Sequence, residues 1–511
     1  MRVAVVGSGV SGLAATWHLE LTIAQLLNEH SPHEVELFEK EGQLGGHANT
    51  IWVQNPGKEG CWVESAFRTC FQVLFNESAW PNFYRFLRHR SLPLRTSDGS
   101  FSYSHYAGRQ WASFSPWSLF PRWKHLLSAR PWSMLRDILW FNATAIEVLR
   151  SPVYEQLSVG DYLAARGYSV AFQEDYLLRS SDIPAILVLA DPFQPLIGAI
   201  FLLPPQRIAE DYPIVMLVRS MYNMGLLQLW GKAPWYTIDG GSRLYIESIV
   251  QNLGPDRTHL NTGIVSATRS GDKVVLRDER GTERSYDHVI LATHCPVTLE
   301  ILRSGGMLTE VAEEVLSAPQ YHSFSIVAHS ESEVLPEKVH LQAAWNSQVW
   351  PRQDGQLDFV DPEGRSSGTD HFSVTFDVNR LQQFPLHKHG HILGTLNPSI
   401  PIPASKHLAT ILFAQAIPSQ RLYTAQKRLH ELDDDLYPQG ISAVGAWRGV
   451  GFHEDGWVAG IRAAEKLGGK MPFPTVPRDR EVAGMGVIEW LRGLWVGPVW
   501  KEAMESKEKL L

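Results

Sequence analysis

The sequence predicts an α/β fold built on a parallel β-sheet, and the beginning of the chain provides the evidence. A β-branched run without charge, residues 3–6, is followed at once by a glycine-rich loop, residues 7–12, with the spacing G-x-G-x-x-G. A helix-like apolar run, residues 13–19, comes next, and a second apolar run, residues 35–38, ends at Glu39. Strand, glycine loop, helix, strand and acid is the order of a βαβ unit that binds a dinucleotide. The sequence therefore predicts a Rossmann-like domain.

Each glycine of this loop has a separate expected role. Gly7 takes a tight turn, Gly9 lets the backbone approach a pyrophosphate, and Gly12 lets the helix pack closely on the strand. Val10 and Ser11 begin the helix, whose free N–H groups and positive dipole end face the phosphates. We therefore expect all five residues to bind the dinucleotide.

Glu39 is the expected ribose ligand. A carboxylate at the end of the second strand accepts hydrogen bonds from the ribose hydroxyls and disfavours a 2′-phosphate. Glu39 lies farther along the chain from Gly12 than is usual, which predicts a long crossover helix or a long loop after it.

A second glycine pair follows the second strand and identifies the dinucleotide. Gly45 and Gly46, between Lys40 and His47, give the backbone a second close approach to the same pyrophosphate. Here the chain resembles the FAD-binding amine-oxidoreductase superfamily, and most closely a subgroup with Leu-Gly-Gly-His at this position. The resemblance implies a glutathione-reductase-like FAD domain and implies that Lys40, Gly45, Gly46 and His47 bind FAD.

Composition sets the broad class. A chain of 511 residues is longer than one core usually serves, and 44% hydrophobic with 20% charged residues is typical of a globular protein. The net charge of −8 gives no reason to expect nucleic-acid binding. Three isolated cysteines without a C-x-x-C motif predict neither a disulfide framework nor a metal site. The first strand begins directly after Met1, so we expect a cytoplasmic protein.

The chain is predicted to alternate between FAD-binding segments and an inserted, mixed α+β substrate domain. The FAD-binding segments are residues 1–109, 231–299 and 421–470. The substrate segments are a helical cap, residues 110–230, and a β-rich part, residues 300–420; an amphipathic tail, residues 471–511, follows. Helical patterns at Trp132–Leu149 and Ser158–Gly167 indicate that the cap lines an apolar cavity, although an aromatic stripe is equally typical of plain core.

Two stretches have no counterpart in the subgroup's pattern. They are Arg68–Phe71 and Arg179–Gln194. The sequence leaves open whether they are genuine insertions or errors of the gene model.

The middle of the chain returns to the FAD domain. Strands are predicted over residues 260–268 and 273–277 and, as a buried parallel strand, over 288–294. The resemblance implies that the backbone of Val265 meets the adenine and that the turn Ala292-Thr293 closes over the pyrophosphate.

The β-rich part is predicted to contain antiparallel strands at residues 323–329, 372–376, 391–396 and 410–413. Between them, Asn379 and Arg380 are suited either to bind a carboxylate headgroup or to form a structural salt bridge.

The C-terminal segment contains the second strong motif. A strand over residues 442–447, including Gly445, leads to Phe-His-Glu-Asp-Gly and a helix predicted over Trp457–Leu467. With Asp455 as its N-cap and Gly456 as its first residue, this helix would aim its positive end at the flavin N1–C2=O edge, where charge accumulates on reduction.

This motif closely resembles that of the same subgroup, which implies that Gly445, Asp455 and Gly456 bind FAD. His453 and Glu454 are candidates for a catalytic acid or base, the alternative being a loop that only caps the helix. Ala446 stands where the wider superfamily has an acid that binds the ribityl chain, so the resemblance does not extend to that contact.

These features predict an FAD-dependent oxidoreductase that transfers hydride from a lipophilic small molecule, such as an unsaturated fatty acid, to flavin N5. The resemblance adds a link to flavin-dependent fatty-acid double-bond isomerases. The alternatives are a redox-neutral isomerase, an amine oxidase, and a non-catalytic lipid-binding or escort protein like the GDP-dissociation inhibitors. The apolar stretch 183–205 contains too many prolines for a spanning helix. The tail, with its tryptophans and scattered basic residues, leaves a peripheral membrane contact open.

Overall fold

A computed structural model describes residues 1–25, 34–64, 74–105, 109–112, 129–169, 172, 209–227, 234–351 and 370–476. The strands are β1 (Arg2–Val6), β2 (Glu34–Phe38), β3 (Thr50–Val53), β4 (Cys61–Glu64), β5 (Leu94–Ser97), β6 (Phe101–His105), β7 (Arg109–Ala112), β8 (Trp235–Ile238), β9 (Thr258–His259), β10 (Ile264–Ser270), β11 (Lys273–Asp278), β12 (Glu283–Tyr286), β13 (His288–Leu291), β14 (Gln320–His329), β15 (Trp345–Pro351), β16 (Asp370–Asp377), β17 (Leu393–Leu396), β18 (His407–Ile417) and β19 (Ile441–Ala443).

The α-helices are α1 (Val10–Gln25), α2 (Pro81–His89), α3 (Ala129–Thr144), α4 (Val159–Ala165), α5 (Ile214–Asn223), α6 (Arg243–Val250), α7 (Cys295–Ser304), α8 (Glu310–Leu316), α9 (Val378–Leu381), α10 (Leu386–His389), α11 (Gln420–Gln426), α12 (Leu429–Leu436) and α13 (His453–Lys466). No helix within these described ranges is long and apolar enough to cross a membrane.

A five-stranded sheet with all neighbours parallel forms the base of the molecule, in the order β19-β13-β1-β2-β9. Its middle strand is the β-branched run at the start of the chain, and Val3, Ala4 and Val5 have no exposed surface. Burial on both faces is the expected fate of such a continuous apolar run in a parallel sheet. The Rossmann-like prediction is confirmed.

A three-stranded antiparallel sheet, β10-β11-β12, lies beside this base. The turn between β10 and β11 contains Gly271 with φ +59°, the left-handed conformation that glycine adopts without strain. Strands β10 and β11 correspond to the strands predicted over residues 260–268 and 273–277, each within a few residues of the predicted bounds.

The seven-stranded sheet has the order β18-β14-β17-β16-β15-β6-β7. It contains the four predicted strands, antiparallel to one another as expected. It also contains β15, which the sequence did not predict, and β6, which pairs in parallel with β15. Strands β6 and β7 thus belong to this sheet, although they come from the region where the sequence placed the boundary between the FAD segment and the cap.

One face of the seven-stranded sheet is apolar. Its apolar side chains all belong to the main buried cluster except that Phe101 packs at the edge of that cluster, and the small hydroxyl of Ser347 lies among them. They are Phe101, Trp345, Val349, Val374, Phe376, Leu396, Phe324, Ile326, Ala328, Ile411 and Phe413. The same cluster continues into the cap helices α3, α4 and α5. No charged side chain projects from this face among the strand residues whose side chains are described.

The cap is helical where it is described. Helix α3 continues into a 3₁₀ turn at Ala145–Leu149, and α4 begins with Ser158 and Asp161 bonded to each other's backbone as a capping box. Glu155 joins the cap to α11 by accepting hydrogen bonds from Lys427 and from the Tyr423 hydroxyl. Both stretches without a counterpart, Arg68–Phe71 and Arg179–Gln194, lie outside the described residues, as do residues 477–511 of the tail.

Two buried histidines predict how the fold responds to acid. Burial lowers the pKa of His288 and of His329 to about 4 each, from 6.5. Between about pH 4 and pH 6.5, the two histidines bind protons in the unfolded chain but not in the folded chain. The free energy of unfolding therefore falls as the pH falls from about 6.5 to about 4, by up to about 1.4 kcal/mol per pH unit for each histidine. Urea unfolding at a series of pH values measures this slope.

In the variant His329→Gln, the free energy of unfolding should change less steeply with pH, because about one fewer proton is taken up on unfolding. It loses the bond to the Thr395 hydroxyl, at 2.7 Å, so its stability at neutral pH should also be lower. The exposed His387→Gln variant is the matched control. An unchanged slope in His329→Gln would contradict this account.

Candidate functional site

The first glycine loop is constrained at two positions and open at the third. Gly7 has φ +98°, and a Cβ there would lie 2.8 Å from the carbonyl oxygen of Ala292. A Cβ on Gly12 would lie 1.9 Å from the carbonyl oxygen of Gly7, so this position also requires glycine. A Cβ on Gly9, in contrast, would meet no protein atom within 4 Å. Gly9 caps α1, accepting the first helical N–H from Leu13 at 2.9 Å.

Glu39 fixes this loop relative to the second glycine pair. Its Oε2 accepts the N–H of Ser8 at 2.9 Å and the Ser8 hydroxyl at 2.5 Å, and its Oε1 accepts the N–H of Glu41. The hydroxyl of Ser8 in turn accepts the N–H of Gly45 at 3.1 Å. A Cβ on Gly46 would lie 3.1 Å from the Cα of Gly9, so the two glycine loops face each other.

The other predicted FAD contacts surround these loops. The Ala292-Thr293 turn packs on Gly7, because the N–H of Ala292 donates to Val6 at 2.8 Å. The ring of His47 lies 5.1 Å from that of His294. Val265 is skipped by the β10–β11 pairing, which shifts register between Ile264 and Ser266.

Lys40 is exposed, and its Cγ lies 3.5 Å from where a Gly263 Cβ would be. The structure therefore places Lys40 beside the loop that follows β9. Its contact with FAD stays a prediction.

The C-terminal helix α13 reaches the same loops by packing on α1. A Cβ on Gly456 would lie 2.6 Å from Val10 and 2.9 Å from the Ser11 hydroxyl. A Cβ on Gly460 would lie 2.1 Å from the Ser11 carbonyl oxygen. Both positions therefore require glycine, and they bring the C-terminal motif onto the first turn of α1. Gly445 begins the turn before α13, with the ring of Trp447 2.4 Å from where its Cβ would be.

The start of α13 differs from the prediction. The helix begins at His453 and Phe452 is its N-cap, three residues before the predicted start at Gly456. Asp455 is the third residue of the helix, and its Oδ2 accepts the N–H groups of Val450 and Phe452 at 3.1 and 3.0 Å. Asp455 therefore caps the helix by reaching back, which shapes the loop before α13.

Glu454 holds a second helix. It has no exposed surface, and its carboxylate accepts three hydrogen bonds at 2.8 to 3.1 Å, from the N–H and side-chain amide of Asn82 and from the N–H of Phe83. These N–H groups belong to the first turn of α2. A negative charge at this end of a helix is favourable because the N–H groups there lack partners within the helix.

His453 lies in an aromatic cluster. Its ring centroid is 4.6 Å from that of Phe83 and 5.8 Å from that of Tyr245. Burial lowers the pKa of His453 to about 3, so its ring is neutral at physiological pH. The surroundings of His453 and Glu454 favour the helix-capping alternative raised by the sequence.

The pair Asn379 and Arg380 has structural contacts. Asn379 bonds to the backbone of Gly390 and Ile392, and Arg380 forms ion pairs with Asp98 and Asp377. Among the described residues, these contacts match the salt-bridge alternative.

Two polar residues of this region were missed by sequence reasoning. Glu64 accepts the N–H of Ser242 at 2.7 Å, at the start of α6. Gln415 is 4% exposed, its Nε2 lies 3.9 Å from where a Gly451 Cβ would be, and its Oε1 has no hydrogen-bond partner in the described structure. The alternation of residues along β18 places Gln415 on the same face of the seven-stranded sheet as Ile411 and Phe413, which we call the inner face. Only the fold brings Gly451 next to it.

These features define a dinucleotide-binding protein. The pyrophosphate of FAD fits the space at Gly9, opposite Gly46, and its ribose fits beside the carboxylate of Glu39. The residues present are therefore suited to hold FAD. Residues 10–330 match the family model of flavin containing amine oxidoreductases, and the chain belongs to that family. Its cofactor is FAD.

Solved structures share this fold at low sequence identity. Putrescine oxidase bound to putrescine is 12% identical, with a TM-score of 0.58 over 92% of this chain and 100% of the other. A fatty acid isomerase from P. acnes is 13% identical, with a TM-score of 0.57 over 91% and 98%. Cyclohexylamine oxidase from Brevibacterium oxydans IH-35A is 14% identical, with a TM-score of 0.51 over 91% and 98%. A comparison with curated proteins finds no match.

The contrast between Gly9 and Gly12 predicts separable effects on cofactor and fold. Gly9→Ala should leave the thermal stability of the apoprotein nearly unchanged and weaken FAD binding at least about tenfold, because its methyl group takes the space of the pyrophosphate. Gly12→Ala should lower the stability of the apoprotein itself, since its methyl group overlaps the Gly7 carbonyl. Equilibrium titration with FAD and apoprotein melting measure the two effects. Wild-type FAD affinity in Gly9→Ala would contradict the assignment.

The Glu454 contacts predict a large stability effect. Glu454→Gln replaces one accepting oxygen by an amide N–H₂ facing backbone donors, and should lower the free energy of unfolding by about 2 to 3 kcal/mol. The control is Glu247→Gln on the exposed side of α6, where the expected change is below about 0.5 kcal/mol. Urea unfolding of both variants measures the two changes in free energy of unfolding. Equal changes in the two variants would exclude a capping role for Glu454.

Proposed function

We propose that this enzyme oxidises a lipophilic small molecule, with an unsaturated fatty acid as the model substrate, by transfer of hydride to flavin N5. The supporting observation is the apolar inner face of the seven-stranded sheet. Phe324 lies opposite Phe413 and Ile326 opposite Ile411 in the β14–β18 pairing. These side chains are already shielded from water, so a hydrocarbon chain held against this face would meet apolar groups and would leave no charge unpaired.

The face becomes polar at one end. Gln415 lies opposite His322 in the same pairing, next to the Phe324–Phe413 pair. Gln415 is also the residue beside Gly451, in the loop before α13. A mainly apolar substrate with one polar group therefore suits this surface, with its polar group at the Gln415 end.

An amine substrate would find no carboxylate partner among the described side chains of this face. A protonated amine needs an opposing carboxylate or an aromatic cage to offset its loss of hydration. The inner face offers no carboxylate within its described side chains. Putrescine oxidase and cyclohexylamine oxidase share the fold, which does not determine the chemistry.

FAD, when bound, supplies the two-electron acceptor. The protein supplies the surroundings: Glu39 and the glycine loops hold the nucleotide, and α13 places a helix N-terminus in the C-terminal motif. The main apolar cluster, shared by the sheet and the cap, excludes water from the face on which the hydrocarbon would lie.

The first experiment mixes the holoenzyme, without oxygen, with an unsaturated fatty acid or with an alkylamine of equal chain length. Bleaching of the flavin band by the fatty acid, with a product two hydrogens lighter, is the expected result. A shifted double bond at unchanged mass would instead mean an isomerase, and bleaching by the amine alone would mean an amine oxidase.

Replacement of Gln415 tests the polar end of the surface. Gln415→Leu should keep FAD and raise the fatty-acid concentration needed for half-maximal flavin reduction about tenfold, the loss of roughly one hydrogen bond. Leu412→Gln, on the opposite face of β18 and 79% exposed, is the control. Unchanged substrate dependence in Gln415→Leu would remove this residue from the substrate site.

A further inference from the structure

Two tryptophans are exposed side by side on the β3–β4 hairpin. Trp52 and Trp62 lie directly opposite each other in the pairing, with ring centroids 5.4 Å apart. Their exposed fractions are 54% and 42%. Contiguous exposed apolar surface on a folded protein usually marks an interaction site.

The local structure holds both rings in place. A Cβ on Gly60 would lie 2.3 Å from the Trp52 ring, so the ring rests against the hairpin where only glycine leaves room for it. The guanidinium of Arg243 lies 5.1 Å from the centre of the Trp62 ring, a cation–π contact. Glu64, at the end of β4, bonds to Thr50 and Ser242 and anchors the hairpin to α6.

A second segment extends the surface. The N–H of Glu59 donates to the Lys388 carbonyl at 3.1 Å, and the side-chain amide of Asn55 donates to the His389 carbonyl at 2.7 Å. These bonds bring α10 against the hairpin loop. Helix α10 adds the exposed side chains of Leu386, at 48%, and Lys388.

We propose that this surface, formed by Trp52, Trp62, Leu386, Lys58, Arg243 and Lys388, binds the anionic surface of a lipid membrane. Tryptophan favours the membrane–water interface, since its ring is apolar and its N–H remains hydrated. Lysine and arginine beside such rings attract anionic headgroups.

The charges of the patch favour this occupant. Its three cations face two carboxylates, those of Glu59 and of Glu247, and Glu247 is paired with Arg243 at 3.5 Å. The patch thus carries a net positive charge, which favours an anionic surface and opposes an isologous contact that would set the same cations of two copies against each other. This proposal rests on the proposed function, because membrane binding would bring the enzyme to a lipophilic substrate that concentrates in the bilayer.

The test is sedimentation of the full-length holoenzyme with vesicles of phosphatidylcholine alone or mixed with phosphatidylglycerol. We expect stronger binding to the mixed vesicles. The double variant Trp52→Ser/Trp62→Ser should reduce the bound fraction at least about tenfold, and Lys58→Glu/Lys388→Glu should remove the preference for phosphatidylglycerol. The control Leu412→Ser deletes an exposed apolar side chain on β18 and should bind as the wild type does.

The flavin spectrum and melting temperature of each variant verify that it is folded. Wild-type binding by the double tryptophan variant would overturn the proposal. An absence of vesicle binding by the wild type would also overturn it, and a change in elution volume of the double variant would then identify the surface as a protein interface. Flavin reduction by detergent-free soluble substrate measures the proposed function separately, so failure of one proposal is distinguishable from failure of the other.

Discussion

The close approach of α1 and α13 is the constraint on which the FAD site depends. The FAD domain is assembled from separate parts of the chain, and the first and last parts meet where Gly456 and Gly460 lie against the first turn of α1. Any side chain at Gly460 would overlap the Ser11 carbonyl. Without this contact the C-terminal motif would not lie against the helix that begins at the first glycine loop.

Buried carboxylates secure this assembly from several sides. Glu454 binds the first turn of α2, Glu64 binds the first turn of α6, and Asp455 binds the loop before its own helix. In each case a carboxylate accepts backbone N–H groups at a helix start or in the loop just before it, where donors lack helical partners. Such bonds offset the cost of burying the charge, and they fix helices from distant parts of the sequence around one centre.

Sequence patterns predicted the parts of this structure that are encoded locally. The unit of β1, α1 and β2 follows from adjacent runs and glycines, and the strands β10, β11 and β14 follow from alternation and turns. Strand β15 was missed because Asn346 and Gln348 interrupt its apolar pattern; Asn346 is buried and bonds to Ser102 of the neighbouring strand β6. The start of α13 was misplaced because Asp455 resembles an N-cap but occupies the third helical position.

The roles of Glu454 and Gln415 belong to the part of the site that no local pattern contains. Glu454 bonds to Asn82, which is 372 residues away, and its place in the Phe-His-Glu-Asp-Gly motif suggested proton transfer instead. A carboxylate with three donors at a helix start is already stabilised as the anion, whereas a general acid or base must change charge during the reaction. Gln415 differs from Glu454: it is buried, it lies close to the loop before α13, and its side-chain oxygen lacks a partner in the described structure. The structure therefore combines a charge held by three donors at Glu454 with a buried neutral amide at the end of an apolar face, and only the amide keeps an accepting atom without a partner among the described residues.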